Sequence, residues 1–257
     1  MPKSKSKPRA KAHKPMPSSL VTFLLDRSGS MHVCKKATIE GFNAYIGGLQ
    51  AEKQAKIGFT FLQFDTESLD KVHVDVPVAQ VPNLNDSTYQ PRGGTPLIDA
   101  AVKTIHAVAE AVGRRDDKPK VVICFQTDGE ENSSTDHTWE GLKSLIAEKQ
   151  RLGWQFNFLG AGIDAYQQGA RMGIATVNTM SYDHTDPVKT RSAFRSIGAS
   201  AASYSSGKSH DTHFSLRAKL DAGDAFDPIL KQKPLPQAHV HLSVGRQKRK
   251  TVGDFSL

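Results

Sequence analysis

Cysteine is scarce in this chain. Its 257 residues include only Cys34 and Cys124, so no framework of disulfides builds the fold, and both read as core thiols. Long apolar runs are missing too. No stretch approaches the ~18 uninterrupted apolar residues of a membrane span, which excludes a helical membrane protein. Residues 1–15 are basic, but no apolar core with a small-residue cleavage site follows them, so they do not read as a secretory signal. These absences lead to the expectation of a soluble cytoplasmic protein. Catalytic signatures are sparse as well. There is no Gly-x-Ser-x-Gly elbow, and no histidine is placed to activate Ser28. Ser206-Gly207-Lys208-Ser209 ends like a phosphate loop, but Ala202 stands where that motif needs glycine and a predicted helix precedes it. Gly160-Ala161-Gly162 opens like a dinucleotide fingerprint but lacks its third glycine.

What is present divides the chain in three. Net charge is +8, and it sits at the ends. Lys3, Lys5, Lys7, Arg9, Lys11 and Lys14 give residues 1–15 a charge of +6, and residues 228–257 carry +5. The stretch between is mildly acidic. Residues 1–17 contain almost nothing to bury and read as a disordered basic tail. Residues 18–205 read as one folded domain. From 206 to 257 periodicity fades, and Pro228, Pro234 and Pro236 mark a poorly structured basic tail. Such ends suit weak contact with nucleic acid or another anionic surface, or serve solubility alone. His239 and His241 have no further ligands nearby, and Lys248-Arg249-Lys250 lacks the interleaved aromatics of a base-stacking surface.

Within the domain, strands and helices alternate. Val21–Leu25 is a short apolar run that reads as a buried strand. Val33, Ala37, Ile39, Phe42, Ile46 and Leu49 recur at mostly helical spacing over residues 32–50, with Ser30 placed to cap that helix. Lys56–Phe64 is a strand, and Val72, Val74 and Val76 alternate with polar residues as a half-buried edge strand in a hairpin with it. Pro96 opens a helix that ends near Gly113. Lys120–Phe125 is a strand of the parallel-sheet type, and Trp139–Ala147 a helix. A strand at Trp154–Leu159 and a helix at Ala165–Met172 follow. A small strand is expected at Ile174–Val177, and a helix at Pro187–Tyr204. The pattern predicts a Rossmann-like, doubly wound α/β fold: a mostly parallel sheet with one antiparallel edge strand and helices on both faces.

Three predicted loops carry hard oxygen donors. Asp26, Ser28 and Ser30 follow the first strand, Thr95 follows Gly93-Gly94, and Asp128 follows the most apolar strand. If these strands are neighbours, the five residues converge on one crevice, with Glu130 and Glu131 as solvated rim residues. Such donors suit Mg²⁺, Mn²⁺ or Ca²⁺. Two carboxylates and three hydroxyls are too few for a closed cage and leave a coordination position open.

The set Asp26-Arg27-Ser28-Gly29-Ser30, Thr95, and Thr127-Asp128-Gly129 resembles the metal-ion-dependent adhesion site (MIDAS) of von Willebrand factor A (vWA) domains. Glu40–Tyr45, Tyr89–Thr95 and Phe158–Ala161 are similar to stand-alone bacterial and phage members. The resemblance covers about residues 18–180, extending on to about 205, and implies a divalent ion, Mg²⁺ first, at the top of the sheet. It implies that Ser28, Ser30 and Thr95 bind through hydroxyls, that Asp26 and Asp128 often act through water, and that a partner's Asp or Glu carboxylate completes the shell. The expected function is metal-dependent protein binding rather than catalysis. A metal-dependent hydrolase, and a protein acting through its basic tails on nucleic acid or in an assembly, remain as alternatives.

Overall fold

The first strand, β1, runs over Ser18–Asp26 and is buried from Ser19 onward. Its side chains serve two cores: Val21, Phe23 and Leu25 enter one apolar layer, Leu20 and Leu24 the other. A strand apolar on both faces belongs inside a parallel sheet. The computed structural model describes residues 16–232, and the remaining strands are β2 (Lys56–Phe64), β3 (Leu69–Pro77), β4 (Lys120–Thr127), β5 (Gln155–Ala161) and β6 (Thr179–Tyr182). They form one sheet in the order β3-β2-β1-β4-β5-β6. All neighbours pair in parallel except β2 and β3, the antiparallel edge hairpin.

The helices over this sheet are α1 (Lys35–Ala51), α2 (Leu97–Gly113), α3 (Trp139–Arg151), α4 (Ala165–Met172) and α5 (Pro187–Ser205). The layer against α1 and α5 is aromatic. Phe23 of β1 meets Phe42, Tyr45 and Phe194 at ring-centroid distances of 5.6, 4.9 and 5.9 Å, a range in which rings attract beyond their buried area. The opposite layer joins Leu20 and Leu24 to Ile98, Ile105, Leu142, Ile146 and Met172 of α2, α3 and α4. The architecture is thus the expected doubly wound, Rossmann-like α/β fold. From β1 the chain winds outward through β2, and after β3 it crosses back to β4 on the other side. The strand order therefore reverses between β1 and β4, which opens a crevice at their carboxyl ends.

Three segments differ from expectation. In β3 the alternation faces the other way: Val72 and Val74 are exposed while His73, opposite Phe61, is half-buried, because the pairing with β2 shifts register there. No strand forms at Ile174–Val177. Ile174 is instead buried beneath α4, residues 176–178 make a single 3₁₀ turn, and pairing with β5 begins only at Thr179. The stretch after Ser205 is ordered as far as it is described, with α6 at Leu216–Asp221 and α7 at Pro228–Gln232. Polar contacts hold it rather than apolar periodicity. Lys219 Nζ donates to Asp227 at 2.7 Å and to the Thr176 carbonyl at 2.8 Å, while Asp224 accepts the amide of Ser181 on β6 at 3.0 Å. No helix among the described residues is long and apolar enough to cross a membrane. The basic stretch 1–15, His239, His241 and Lys248–Lys250 lie outside the described residues.

The Lys219 and Asp227 side chains are 3% and 0% exposed, and removing one member of such a pair strands the other charge. Lys219→Met is expected to cost about 3 kcal/mol, measured as a lower urea midpoint with an unchanged slope.

Candidate metal centre

Asp26 is the last residue of β1, and its side chain stands beside the end of β4 because Leu25 pairs with Gln126. It is fully buried. Its Oδ1 accepts the Ser28 amide at 2.6 Å, and its Oδ2 accepts the Thr127 hydroxyl. The buried Tyr89 hydroxyl donates to the Asp26 carbonyl at 2.7 Å and fixes the strand end from behind. Ser28 Oγ lies 3.0 Å from Ser30 Oγ, and Ser30 Oγ donates to Asp128 Oδ1 at 2.7 Å. Thr95 is 2% exposed. A Cβ on Gly129 would sit 3.3 Å from Thr95 Oγ1 and 3.8 Å from Ser30 Oγ, so both hydroxyls flank this bare glycine. The fold brings all five sequence-predicted residues to one crevice.

Ser30 does not cap a helix. The turn after β1 is a 3₁₀ segment, Gly29–Cys34, with Ser28 at its cap position and no side-chain capping bond. Ser30 lies inside that turn and spends its proton on Asp128, a charged acceptor that binds it more strongly than a neutral amide would.

Backbone hydrogen bonds join the loops. Arg92 N donates to the Arg27 carbonyl at 2.7 Å, and Gly29 N to the Gly93 carbonyl at 2.9 Å. Gly93 has φ +65°, in the left-handed region, and a Cβ there would strike the Thr66 hydroxyl. The third loop is tied to the second through Asn132, whose Oδ1 accepts the Thr95 amide at 2.9 Å. Glu130 is exposed as expected, but Glu131 is not a solvated rim residue. It accepts the amides of Ser133 and Ser134, the Ser134 hydroxyl and the amide of Ile98 in the first turn of α2, all at 2.7–2.8 Å. The sequence reading missed Tyr89, Asn132 and the supporting role of Thr127. Thr127 left a signal in its place directly before Asp128, and Tyr89 left one at the head of the Tyr89–Thr95 stretch; Asn132 left none.

Burial pushes the Asp26 carboxyl up to about 6. The Thr127 and Ser28 hydrogen bonds oppose that rise, and the nearby Asp128 charge adds to it. Burial also raises Asp128, against the Ser30 hydrogen bond. Asp26 is thus withdrawn from water and Asp128 partly so; among the described residues neither forms a salt bridge, and only His184 lies near enough for its charge to oppose the rise at Asp128. Oxygen donors around an uncompensated buried charge fit a hard divalent cation. A second carboxylate group, Asp99 and Asp136 with His137, serves the loop itself. The Asp99 oxygens already accept the amides of Thr135, Asp136 and His137.

No protein-family model matches the chain, and no curated protein matches it. Solved structures do. Proximal thread matrix protein 1 from the mussel byssus aligns at 13% identity and TM-score 0.54, over 72% of this chain and 46% of its own. A von Willebrand factor type A protein from Catenulispora acidiphila aligns at 16% identity and TM-score 0.50, over 72% and 43%. The vWF domain of the type V pili tip protein Mfa5 from Porphyromonas gingivalis aligns at 9% and 0.54, over 74% of this chain and 96% of that domain. The chain has the fold of a von Willebrand factor A domain. It spans less than half the length of the first two proteins.

The raised carboxyl sets a pH dependence. The folded chain binds the Asp26 proton more tightly than the unfolded chain, so the stability this group contributes is greatest below about pH 4 and falls as pH rises through about 6. Asp26→Asn keeps the shape and removes the charge. In chelator it is expected to stabilise the protein by on the order of 2 kcal/mol at pH 8 and by little at pH 4, measured by urea unfolding at both pH values.

Proposed function

We propose that this chain is a divalent-cation-dependent protein-binding module. Asp26, Ser28, Ser30, Thr95 and Asp128 hold Mg²⁺, with Mn²⁺ or Ca²⁺ as substitutes, and a partner's Asp or Glu carboxylate takes the open coordination position. The observation that carries this reading is the convergence of five oxygen donors from three loops on a crevice whose innermost carboxylate is buried and, among the described residues, has no cationic partner.

The donor set supports capture rather than enclosure. Mg²⁺ takes about six oxygens and gives up its waters reluctantly, so a site with few protein anions keeps exchangeable positions. Two carboxylates neutralise the ion, and a third, from outside, binds through the ion's residual Lewis acidity. Binding is favoured over catalysis because the Ser28 hydroxyl meets Ser30 and not a general base. Likeness of fold to a pili tip protein and a byssal thread matrix protein is in keeping with a holding role.

Titration of Mn²⁺ or Mg²⁺ into the full chain tests the reading. Wild type is expected to gain about 2.7 kcal/mol of stability at a hundredfold excess of cation over its dissociation constant, and Asp26→Ala to gain none. Equal thermal shifts in the two proteins would overturn it. With the cation site in hand, a partner retained by wild type in Mg²⁺ is expected to be lost both in chelator and with Asp26→Ala.

A further inference from the structure

The turn between β2 and β3, residues 65–68, supplies none of the five donors, yet two donor loops are fastened to it. Arg27 stands between Asp26 and Ser28, and Arg92 precedes Gly93-Gly94-Thr95. Their guanidiniums converge on one oxygen: Arg27 Nε donates to Asp65 Oδ2 at 2.8 Å, and Arg92 Nε to the same atom at 3.0 Å. Ser68 Oγ accepts from both arginines, at 2.9 and 3.1 Å. The other Asp65 oxygen accepts the amides of Glu67 and Ser68 at 2.7 and 2.9 Å. Thr66 Oγ1 accepts the Gly94 amide at 3.0 Å, one residue before Thr95.

This arrangement is stiff for a physical reason. The Asp65 side chain is fully buried and that of Arg27 only 10% exposed, so water screens the pair little. Two backbone amides hold the carboxylate so that it cannot turn, and planar guanidinium forks transmit its position to the chains that carry them. A site that binds a cation gains affinity when its donors are held in place beforehand, because ordering them is then not charged to binding.

We propose that Asp65 is a positioning residue of the cation site: by clamping Arg27 and Arg92 to one buried carboxylate, it sets the spacing between the Asp26–Ser30 donors and Thr95. The inference rests on the cation-binding reading above. Groups behind metal ligands typically alter metal affinity 10–100-fold, and the clamp acts at one further remove, so Asp65→Asn is expected to weaken Mn²⁺ binding by about tenfold.

The test is calorimetric titration of Mn²⁺ into four full-length proteins: wild type, Asp65→Asn, Arg92→Gln and Lys219→Met. Arg92 is 43% exposed, so Arg92→Gln folds even if Asp65→Asn does not, and it is expected to show a smaller loss of the same kind. Lys219→Met perturbs a buried ion pair at the other edge of the sheet. It is expected to lower the melting temperature without changing Mn²⁺ affinity. In chelator, amide exchange at Gly29 and Arg92, whose hydrogen bonds join the loops, is expected to accelerate in Asp65→Asn and not in Lys219→Met. Wild-type Mn²⁺ affinity in both Asp65→Asn and Arg92→Gln, or an equal loss in Lys219→Met, overturns the clamp while leaving the cation site standing. No binding to wild type removes the cation reading itself.

Discussion

A carboxylate buried at the end of the central strand is the constraint around which this molecule is arranged. Taking the Asp26 charge out of water costs several kcal/mol, and one amide and one hydroxyl offset only part of that. The fold does not place it there by accident of packing. β1 is apolar on both faces and must lie inside the sheet, and β2 and β4 flank it in parallel. Its last residue therefore emerges at the point where the strand order reverses, with the end of β4 on one side and the loop before α2 in front. Each loop that can reach Asp26 brings oxygen: Ser28 and Ser30 from its own loop, Thr95 from the second, Asp128 from the third.

Apart from the 3₁₀ segment Gly29–Cys34 and one short 3₁₀ turn at Val78–Gln80, those loops have no regular structure of their own to order them. Carboxylates do that work, each by gathering amides. Asp65 organises residues 65–68 and holds Arg27 and Arg92. Glu131 gathers Ser133 and Ser134 and caps the first turn of α2. Asp99, in that same turn, gathers residues 135–137. A carboxylate accepting several amides satisfies backbone donors that would otherwise be stranded near the surface of the crevice. Acidity near the site therefore has two uses. Asp65, Glu131 and Asp99 are spent on structure, and Asp26 and Asp128 have capacity to spare.

This division explains what could be read from the chain and what could not. Features governed by local pattern were legible: the apolar runs of β1 and β4, the presence of β3 as an edge strand, the boundaries of α4, and the placement of five oxygen residues in loops that follow a strand end or a glycine pair. Features decided by a distant polar partner were not. Ser30 next to a helical pattern looks like a cap, because its true acceptor lies 98 residues further on. Glu131 in a run of polar residues looks solvated, because nothing nearby shows that four donors converge on it. The stretch from Ser206 to Gln232 has no apolar period, and Lys219, Asp224 and Asp227 are residue types that usually mark a surface. Lys219 pairs with Asp227, and the Tyr166 hydroxyl lies within hydrogen-bond distance of both aspartates, which makes them interior. The missed strand at Thr179–Tyr182 has the same cause in part, since its edge is covered by that polar segment rather than by an apolar helix.

The hydroxyl protons at the crevice are ordered by the same logic. Ionised Asp128 is acceptor-only, so Ser30 gives it its single proton. Ser30 then has none to offer Ser28, and across their 3.0 Å contact Ser28 must be the donor. Thr127 likewise gives its proton to Asp26. The donations run from Ser28 through Ser30 to Asp128, and every proton in the chain is committed to an acceptor. Lone pairs are left over: two on Ser28 and one on Ser30. A hydroxyl that donates to a carboxylate becomes a better electron-pair donor, because each bond in such a chain polarises the next. On the proposed reading, a cation therefore finds Ser28 and Ser30 with lone pairs available and need break none of the hydrogen bonds that position them. The carboxylates would stabilise the ion through charge and through the hydroxyls they polarise, whether or not they touch it.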